Sequence, residues 1–220
     1  MIVDERITSY IHSLDQGNTQ LLTQIEREAR ADLVPIIRQE TASFLKVLLR
    51  MQRPKNILEV GTAVGFSALF MSEYAPADCR ITTIEKYEKR IPIARENFRR
   101  AGKEDVITLL EGDATEILHS LTGTYDLIFM DAAKGQYIHF LPDVLRLLAA
   151  GGVLLSDNVL QDGDIIESRF AVERRNRTIH SRMREYLYAL THTPGITTSV
   201  LPMGDGLTLT VKGEDYEQTT

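Results

Sequence analysis

The chain has 220 residues, 43% hydrophobic and 25% charged, with 25 basic against 31 acidic side chains and a net charge of −6. That composition excludes a disordered, collagenous or disulfide-built chain, and the acidic balance excludes a protein that coats duplex nucleic acid by bulk charge. The longest apolar run, residues 147–155, is far short of the ~20 residues a membrane span needs. Asp4 and Glu5 argue against a secretory leader, Cys79 has no disulfide partner, and the five histidines show no zinc-like spacing, so a cytoplasmic protein without membrane contact is expected.

Residues 4–30 are polar with scattered apolar positions, and Phe44, Leu45, Leu48 and Leu49 recur at helical spacing beyond Pro35, which predicts two or three helices before the first strand. Five β-prone runs follow, at Asn56–Val60, 80–84, 106–110, Tyr125–Met130 and 152–155, each separated from the next by helix-length sequence. Between them Ile91, Ala94, Phe98 and Ala101 keep a helical period ended by Gly102. Phe140, Leu141, Val144, Leu145 and Leu148 do the same ahead of Gly151 and Gly152. Strand alternating with helix predicts a mostly parallel sheet covered on both faces. A long helix bearing Ile179, Met183, Tyr186, Leu187 and Leu190 leads to runs at Ile196–Leu201 and 207–211. The link around Met203-Gly-Asp-Gly206 is too short for a parallel crossover, so these two strands form an antiparallel hairpin. The expected fold is α/β, one domain over 1–220: a helical lead over 1–53, then a Rossmann-like, mostly parallel seven-stranded core over 54–212 in the element order of class I methyltransferases.

Glu59-Val-Gly61-Thr-Ala-Val-Gly65-Phe-Ser67 follows the first strand and opens a helix, where glycine lets the backbone turn sharply and approach a ligand. Glu85 ends the second strand, placed to accept hydrogen bonds from ribose hydroxyls, although a solvated strand-end carboxylate is the simpler role. The glycine spacing is not that of a dinucleotide fingerprint and no pyrophosphate cradle is evident, so an adenosine ligand without phosphates, S-adenosylmethionine above all, is expected. Asp113, closing the third strand before Ala114, stands where an adenine amino group could donate to it or where it caps the next helix.

Asp131 follows the fourth strand and Asp157-Asn158 the fifth. In a doubly wound sheet adjacent strand ends face one crevice, so two carboxylates and an amide converge as a hard oxygen set suited to Mg²⁺ or another hard divalent cation. Helix capping and turn formation are the competing roles of such residues. Lys134, three residues past Asp131, can take a proton in the cleft, balance an oxyanion, or lie on the surface.

The run Ile57-Leu-Glu-Val-Gly-Thr-Ala-Val-Gly-Phe-Ser67, Glu85, Asp131-Ala-Ala-Lys134 and Leu155-Ser-Asp-Asn-Val159 resembles the cation-dependent O-methyltransferases, the family of the catechol and caffeoyl-coenzyme A enzymes, over about residues 35–211. Within it the chain is most similar to the bacterial tRNA 5-hydroxyuridine methyltransferases, which make 5-methoxyuridine at the wobble position. The resemblance implies that Asp131, Asp157 and Asn158 hold Mg²⁺ and that Lys134, with Asp131, is catalytic. It also implies that Ile37, Glu59, Gly61, Ser67, Glu85, Asp113, Ala114 and Asp131 belong to the methyl-donor site. One departure is Ala132-Ala133, where the catechol enzymes carry an aromatic residue, which counts against an aromatic gate for flat phenols.

The chemistry so implied is in-line displacement of a sulfonium methyl by a hydroxyl oxygen. A catechol and 5-hydroxyuridine both present two adjacent oxygens, so the ligand set does not separate them. Arg169, Arg174, Arg175, Arg177, Arg182 and Arg184 against Glu173 form a local basic stripe, fit for a tRNA anticodon loop, whose bases can be splayed out, or for a solvated or dimer-forming face. Arg169, Arg174, Arg175 and Arg177 are the candidate RNA contacts. Three readings stand: a tRNA wobble-uridine methyltransferase, an enzyme for small catechol-like phenols, and a non-catalytic binder of an adenosine ligand. A homodimer through the N-terminal helices or the arginine-bearing helix is expected.

Overall fold

Alternating apolar residues along the strands point to both sheet faces in turn, so the sheet can be stable only if helices cover both. The computed structural model, which describes residues 3–217, meets that demand. Three helices come first, α1 Glu5–Ser13, α2 Gln20–Ala31 and α3 Gln39–Gln52. The alternating core is β1 Asn56–Val60, α4 Phe66–Tyr74, β2 Arg80–Glu85, α5 Ile91–Arg100, β3 Ile107–Glu111, α6 Ala114–Ser120, β4 Tyr125–Met130, α7 Tyr137–Leu147 and β5 Leu148–Asp157. It is completed by α8 Arg177–His192, β6 Ile196–Leu201 and β7 Leu207–Lys212. The sheet order is β3-β2-β1-β4-β5-β7-β6, parallel from β3 to β5, with β7 antiparallel to both its neighbours.

Period-two alternation sorts the core into two layers. Ile57, Ile81, Leu127, Phe129, Val153 and Leu155 meet α2–α5 through Leu22, Leu45, Leu49, Phe66 and Phe98. Leu58, Val60, Ile128, Met130 and Leu154 meet α6–α8 through Leu118, Phe140, Val144, Met183, Tyr186 and Leu190. Burying a side chain of this size stabilises the fold by about 1.5–3 kcal/mol before entropy is subtracted.

One boundary and one buried position differ from those predicted. Leu148 leaves the helical period and starts β5, with Gly151 at φ +71° bending the strand toward its buried half. Ile179, expected on the buried stripe of α8, is partly exposed, whereas Met183, Tyr186 and Leu190 are buried. Among the described residues no helix is long and apolar enough to cross a membrane.

The sheet order reverses between β1 and β4, the kind of switch point at which open α/β sheets bind ligands. Val60 pairs with Met130 and Met130 with Ser156, so the next residues, Gly61, Asp131 and Asp157, emerge side by side at one sheet edge.

Candidate active site

That edge opens into a cleft of about 650 Å³. Ile37, Gly61, Ser67, Glu85, Asp113 and Ala114 line one part of the same cavity that Asp131, Lys134, Asp157 and Asn158 line elsewhere, so nearly all the predicted site residues come together.

The glycine loop packs tightly against its protein neighbours. Gly61 sits at φ +107°, and a Cβ there would lie 2.8 Å from the Asp131 carbonyl carbon and nearer still to its oxygen. Gly65, at φ +83°, caps α4 and lies against the Phe98 ring. Glu85 accepts from the Ala63 N–H (2.8 Å) through one oxygen and from the Lys86 and Tyr87 N–H groups (2.9 and 2.8 Å) through the other. Its carboxylate thus ties the loop after β1 to the turn after β2, and its remaining lone pairs face the cleft as acceptors. Asp113 takes the capping role and stays at the cleft. It caps α6 by accepting from Thr115 N–H (2.9 Å), pairs with Lys86 at 3.3 Å, and still lines the cavity. The Thr115 bond and then Lys86 hold its carboxyl below the usual carboxylate range.

Glu59 is placed differently from its prediction as a donor-site residue. It is fully buried under the loop, accepts from the Thr83 hydroxyl, which also meets the Thr62 hydroxyl at 2.6 Å, and does not line the cleft. Burial pushes its carboxyl up to about 7. One residue back from the end of β1, its side chain is buried beneath the loop, so Glu59 supports the loop from below.

Asp131 and Asp157 are two carboxylates with little water around them. Burial pushes Asp131 up to about 6; burial, then the charge of Asp131, pushes Asp157, which is 2% exposed, up to about 7. Asn158 is held at φ +61°, a conformation asparagine tolerates better than most, and its amide nitrogen lies 3.1 Å from Asp131 Oδ1. A half-turn of that amide presents its oxygen instead. Two dehydrated carboxylates beside an amide oxygen form a hard donor set that fits a divalent cation of the Mg²⁺ kind. Among the described residues no group of three or more His, Cys, Asp or Glu gathers as a metal cluster.

Tyr137 and Asp205, neither assigned a role from sequence, fix this geometry. The buried Tyr137 hydroxyl lies 3.1 Å from the Met130 and Asp157 carbonyls and accepts from Ala132 N–H (3.2 Å), fastening the end of β4 to that of β5. Tyr137 opens α7, and its partners are set by strand pairing. Asp205, in the β6–β7 turn, accepts from Lys134 Nζ at 2.9 Å.

The arginine stripe is not one exposed face. Arg177 donates to the Val172 and Phe170 carbonyls (both 3.1 Å), Arg182 to Gly135 O (3.1 Å) and Arg184 to Ile165 O (3.0 Å), so these three pin loops. Of the four residues named as RNA contacts, Arg169, Arg174 and Arg175 stay exposed, with Arg175 paired to Glu173 at 2.7 Å, and Arg177 is the one withdrawn.

Known proteins resemble this chain in sequence and fold. The family described as O-methyltransferase matches residues 12–213. The chain is 32% identical over 169 residues to a catechol O-methyltransferase of Niastella koreensis, covering 74% of this chain and 76% of that protein. It is 33% identical over 181 residues to caffeoyl-CoA O-methyltransferase 2 of Populus trichocarpa, covering 77% and 72%. An SAH-bound methyltransferase of Podospora anserina superposes with a TM-score of 0.86 at 28% identity, over 96% of this chain and 95% of that one. With a match over residues 12–213 and relatives 32–33% identical over more than two thirds of both chains, the chain belongs to the O-methyltransferase family.

Proposed function

We propose that the chain transfers the methyl group of S-adenosylmethionine to a hydroxyl that has a second oxygen beside it, with Asp131, Asp157 and Asn158 holding Mg²⁺ and Lys134 facing the acceptor. The observation that carries this is the one cleft containing a ribose-type acceptor, Glu85, and a paired-carboxylate oxygen set, Asp131 with Asp157. Mg²⁺, when bound, supplies Lewis-acid lowering of a hydroxyl's pKa. The remaining work belongs to the chain. Glu85 and Asp113 orient the ribose and base of the donor, the Gly61 loop holds it beside the acceptor, and the acceptor hydroxyl gives its proton to solvent while the Lys134 ammonium faces the oxyanion left behind. The new O–C bond forms as the C–S bond breaks, and S-adenosylhomocysteine leaves with the sulfur's electron pair.

For the acceptor we infer 5-hydroxyuridine at the tRNA wobble position, giving 5-methoxyuridine. Arg169, Arg174 and Arg175 remain exposed in the segment after Asp157-Asn158, and Phe170 beside them is 83% exposed, a combination of cation and aromatic face that suits an unpaired RNA loop. Small catechol-like phenols are the second reading, favoured by the catechol and caffeoyl-CoA enzymes among its relatives.

The test is transfer of labelled methyl to tRNA lacking the modification, with a simple catechol in parallel, each with Mg²⁺ or with chelator. Metal-dependent label in tRNA is expected. Replacing Arg174 and Arg175 with Glu should then reduce tRNA methylation at moderate salt by ~10-fold or more and leave any catechol turnover unchanged. Label in catechol alone sinks the RNA reading. We also infer a homodimer: α1 and its C-cap Leu14 turn Ile7, Tyr10, Ile11 and Leu14 toward solvent at helical spacing, an apolar stripe a second copy would cover. Light scattering should give twice the 24.8 kDa chain mass, and a monomer at micromolar concentration refutes it.

A further inference from the structure

Lysine is a poor residue to leave alone in a cleft, because its four-carbon stem samples many rotamers and its ammonium prefers water. Lys134 is not left alone. Asp205 is 3% exposed and does not line the cleft, yet its Oδ2 accepts from Lys134 Nζ at 2.9 Å. Its Oδ1 accepts from the Asp162 N–H, so one carboxylate grips the lysine and the loop after β5 together.

The turn that carries Asp205 is bound to the same loop by its backbone. The Leu160 N–H donates to Asp205 O (2.9 Å) and the Val159 N–H to Gly206 O (3.0 Å). Gly206, at φ +83°, lies so close to this loop that a Cβ would sit 2.6 Å from Leu160 Cβ. The loop begins immediately after Asp157 and Asn158. Asp205 therefore stands at the junction of two lines, one running to the ammonium in the cleft and one to the segment that follows the oxygen set. An ammonium has three donors, and the bond to Asp205 takes one, leaving two for the cleft. Asp205 itself never reaches the cavity, so any effect it has on transfer passes through Lys134 or that loop.

We propose that Asp205 is a positioning residue for methyl transfer: its buried carboxylate holds the Lys134 ammonium in register with the loop that follows Asp157 and Asn158. This rests on the reading above in which Lys134 faces the acceptor.

The experiment uses the full chain as Asp205→Asn, Asp205→Glu, Lys134→Met and the double variant D205N/K134M, with thermal melts to establish folding. Donor affinity is measured with S-adenosylhomocysteine, and turnover with whichever acceptor the wild type methylates. Asp205→Asn is expected to lower kcat by ~10- to 100-fold with donor affinity within ~3-fold, and the double variant should be no slower than Lys134→Met, because the two residues act as one unit. Asp205→Glu should recover part of kcat. A wild-type kcat for Asp205→Asn overturns the proposal, and so does a double variant whose loss is the product of the two single losses.

A second readout needs no turnover. Acylation of Lys134 by a water-soluble ester, followed by peptide mass spectrometry and referenced to Lys86, should rise several-fold in Asp205→Asn; unchanged labelling overturns the positioning role. If the wild type methylates neither tRNA nor catechol, the acceptor reading has failed, and the labelling result still decides whether Asp205 holds the lysine.

Discussion

Replacing Asp157 with asparagine is expected to slow methyl transfer by ~10²- to 10³-fold while leaving affinity for S-adenosylhomocysteine within a few-fold. The substitution keeps the side chain's size and its acceptor for the Asn158 N–H (2.8 Å) but removes one of the two carboxylate charges. An amide oxygen is a far weaker ligand for a hard cation, so the Mg²⁺ concentration needed for half activity should rise as kcat falls. Turnover unchanged in kcat and in its Mg²⁺ dependence would remove Asp157 from the metal site.

The same variant should gain stability where the wild type loses it. Burial raises Asp131 to about 6 and Asp157 to about 7, above the ordinary 3.8 of an aspartate. The folded chain therefore binds more protons than the unfolded one between those values. That contribution to stability is fully present below about 3.8 and is lost as pH rises through 6 and then 7. In chelator the wild type should melt at a lower temperature at pH 8 than at pH 5, and Mg²⁺ should reverse the loss at pH 8 alone. Asp157→Asn should make the chelator profile shallower between pH 6 and pH 8, leaving the slope that buried Glu59, also raised to about 7, contributes there, and should show little response to Mg²⁺. A wild-type melting temperature in chelator that rises from pH 5 to pH 8 would contradict the linkage.

Gly61→Ala is expected to destabilise the fold by about 3 kcal/mol or more and to abolish donor binding with it. Two costs add at this position. The backbone holds φ +107°, which an L side chain rarely adopts, and the new methyl would press on the Asp131 backbone carbonyl, which has nowhere to go. Asp131 N–H donates to Val60 O at 3.0 Å, so pushing the tips of β1 and β4 apart breaks their last rung and moves a proposed metal ligand. Gly123→Ala is the control: it also has positive φ, at +90°, but opens onto space with nothing within 4 Å, so only the backbone strain of about 1 kcal/mol applies. Urea melts of the two variants should differ by about 2 kcal/mol in stability. Equal losses would mean that the close approach to Asp131 carries no weight.

The reason glycine stands at position 61 shows where reading from sequence stops. A glycine loop after a first strand signals close approach, and the signal is correct, but the partner in closest contact is the neighbouring strand's carbonyl, which no local pattern names. Glu59 is a similar case. Its residue type fitted a ligand-binding acid, and its depth below the strand tip made it a support. The arginines diverged for the same kind of reason. A guanidinium finds whichever carbonyls lie near, and the loops at Gly135, Ile165 and Val172 took three of them. Asp205 carried no signal beyond that of a turn residue.

Hydrophobic periodicity and turn chemistry were enough to establish the alternating strands and helices, the closing hairpin, and hence one sheet edge bearing Gly61, Glu85, Asp131, Lys134, Asp157 and Asn158. Those are short-range patterns, and the right-handed crossover rule carries them to a common edge without further information. The insertion of β7 between β5 and β6, the withdrawal of Glu59, the pinning of three arginines to loop carbonyls, and the Asp205–Lys134 clasp arose only when distant segments packed. Such contacts depend on which long-range pairing buries most apolar surface while leaving fewest polar groups unbonded, a balance struck over the whole chain.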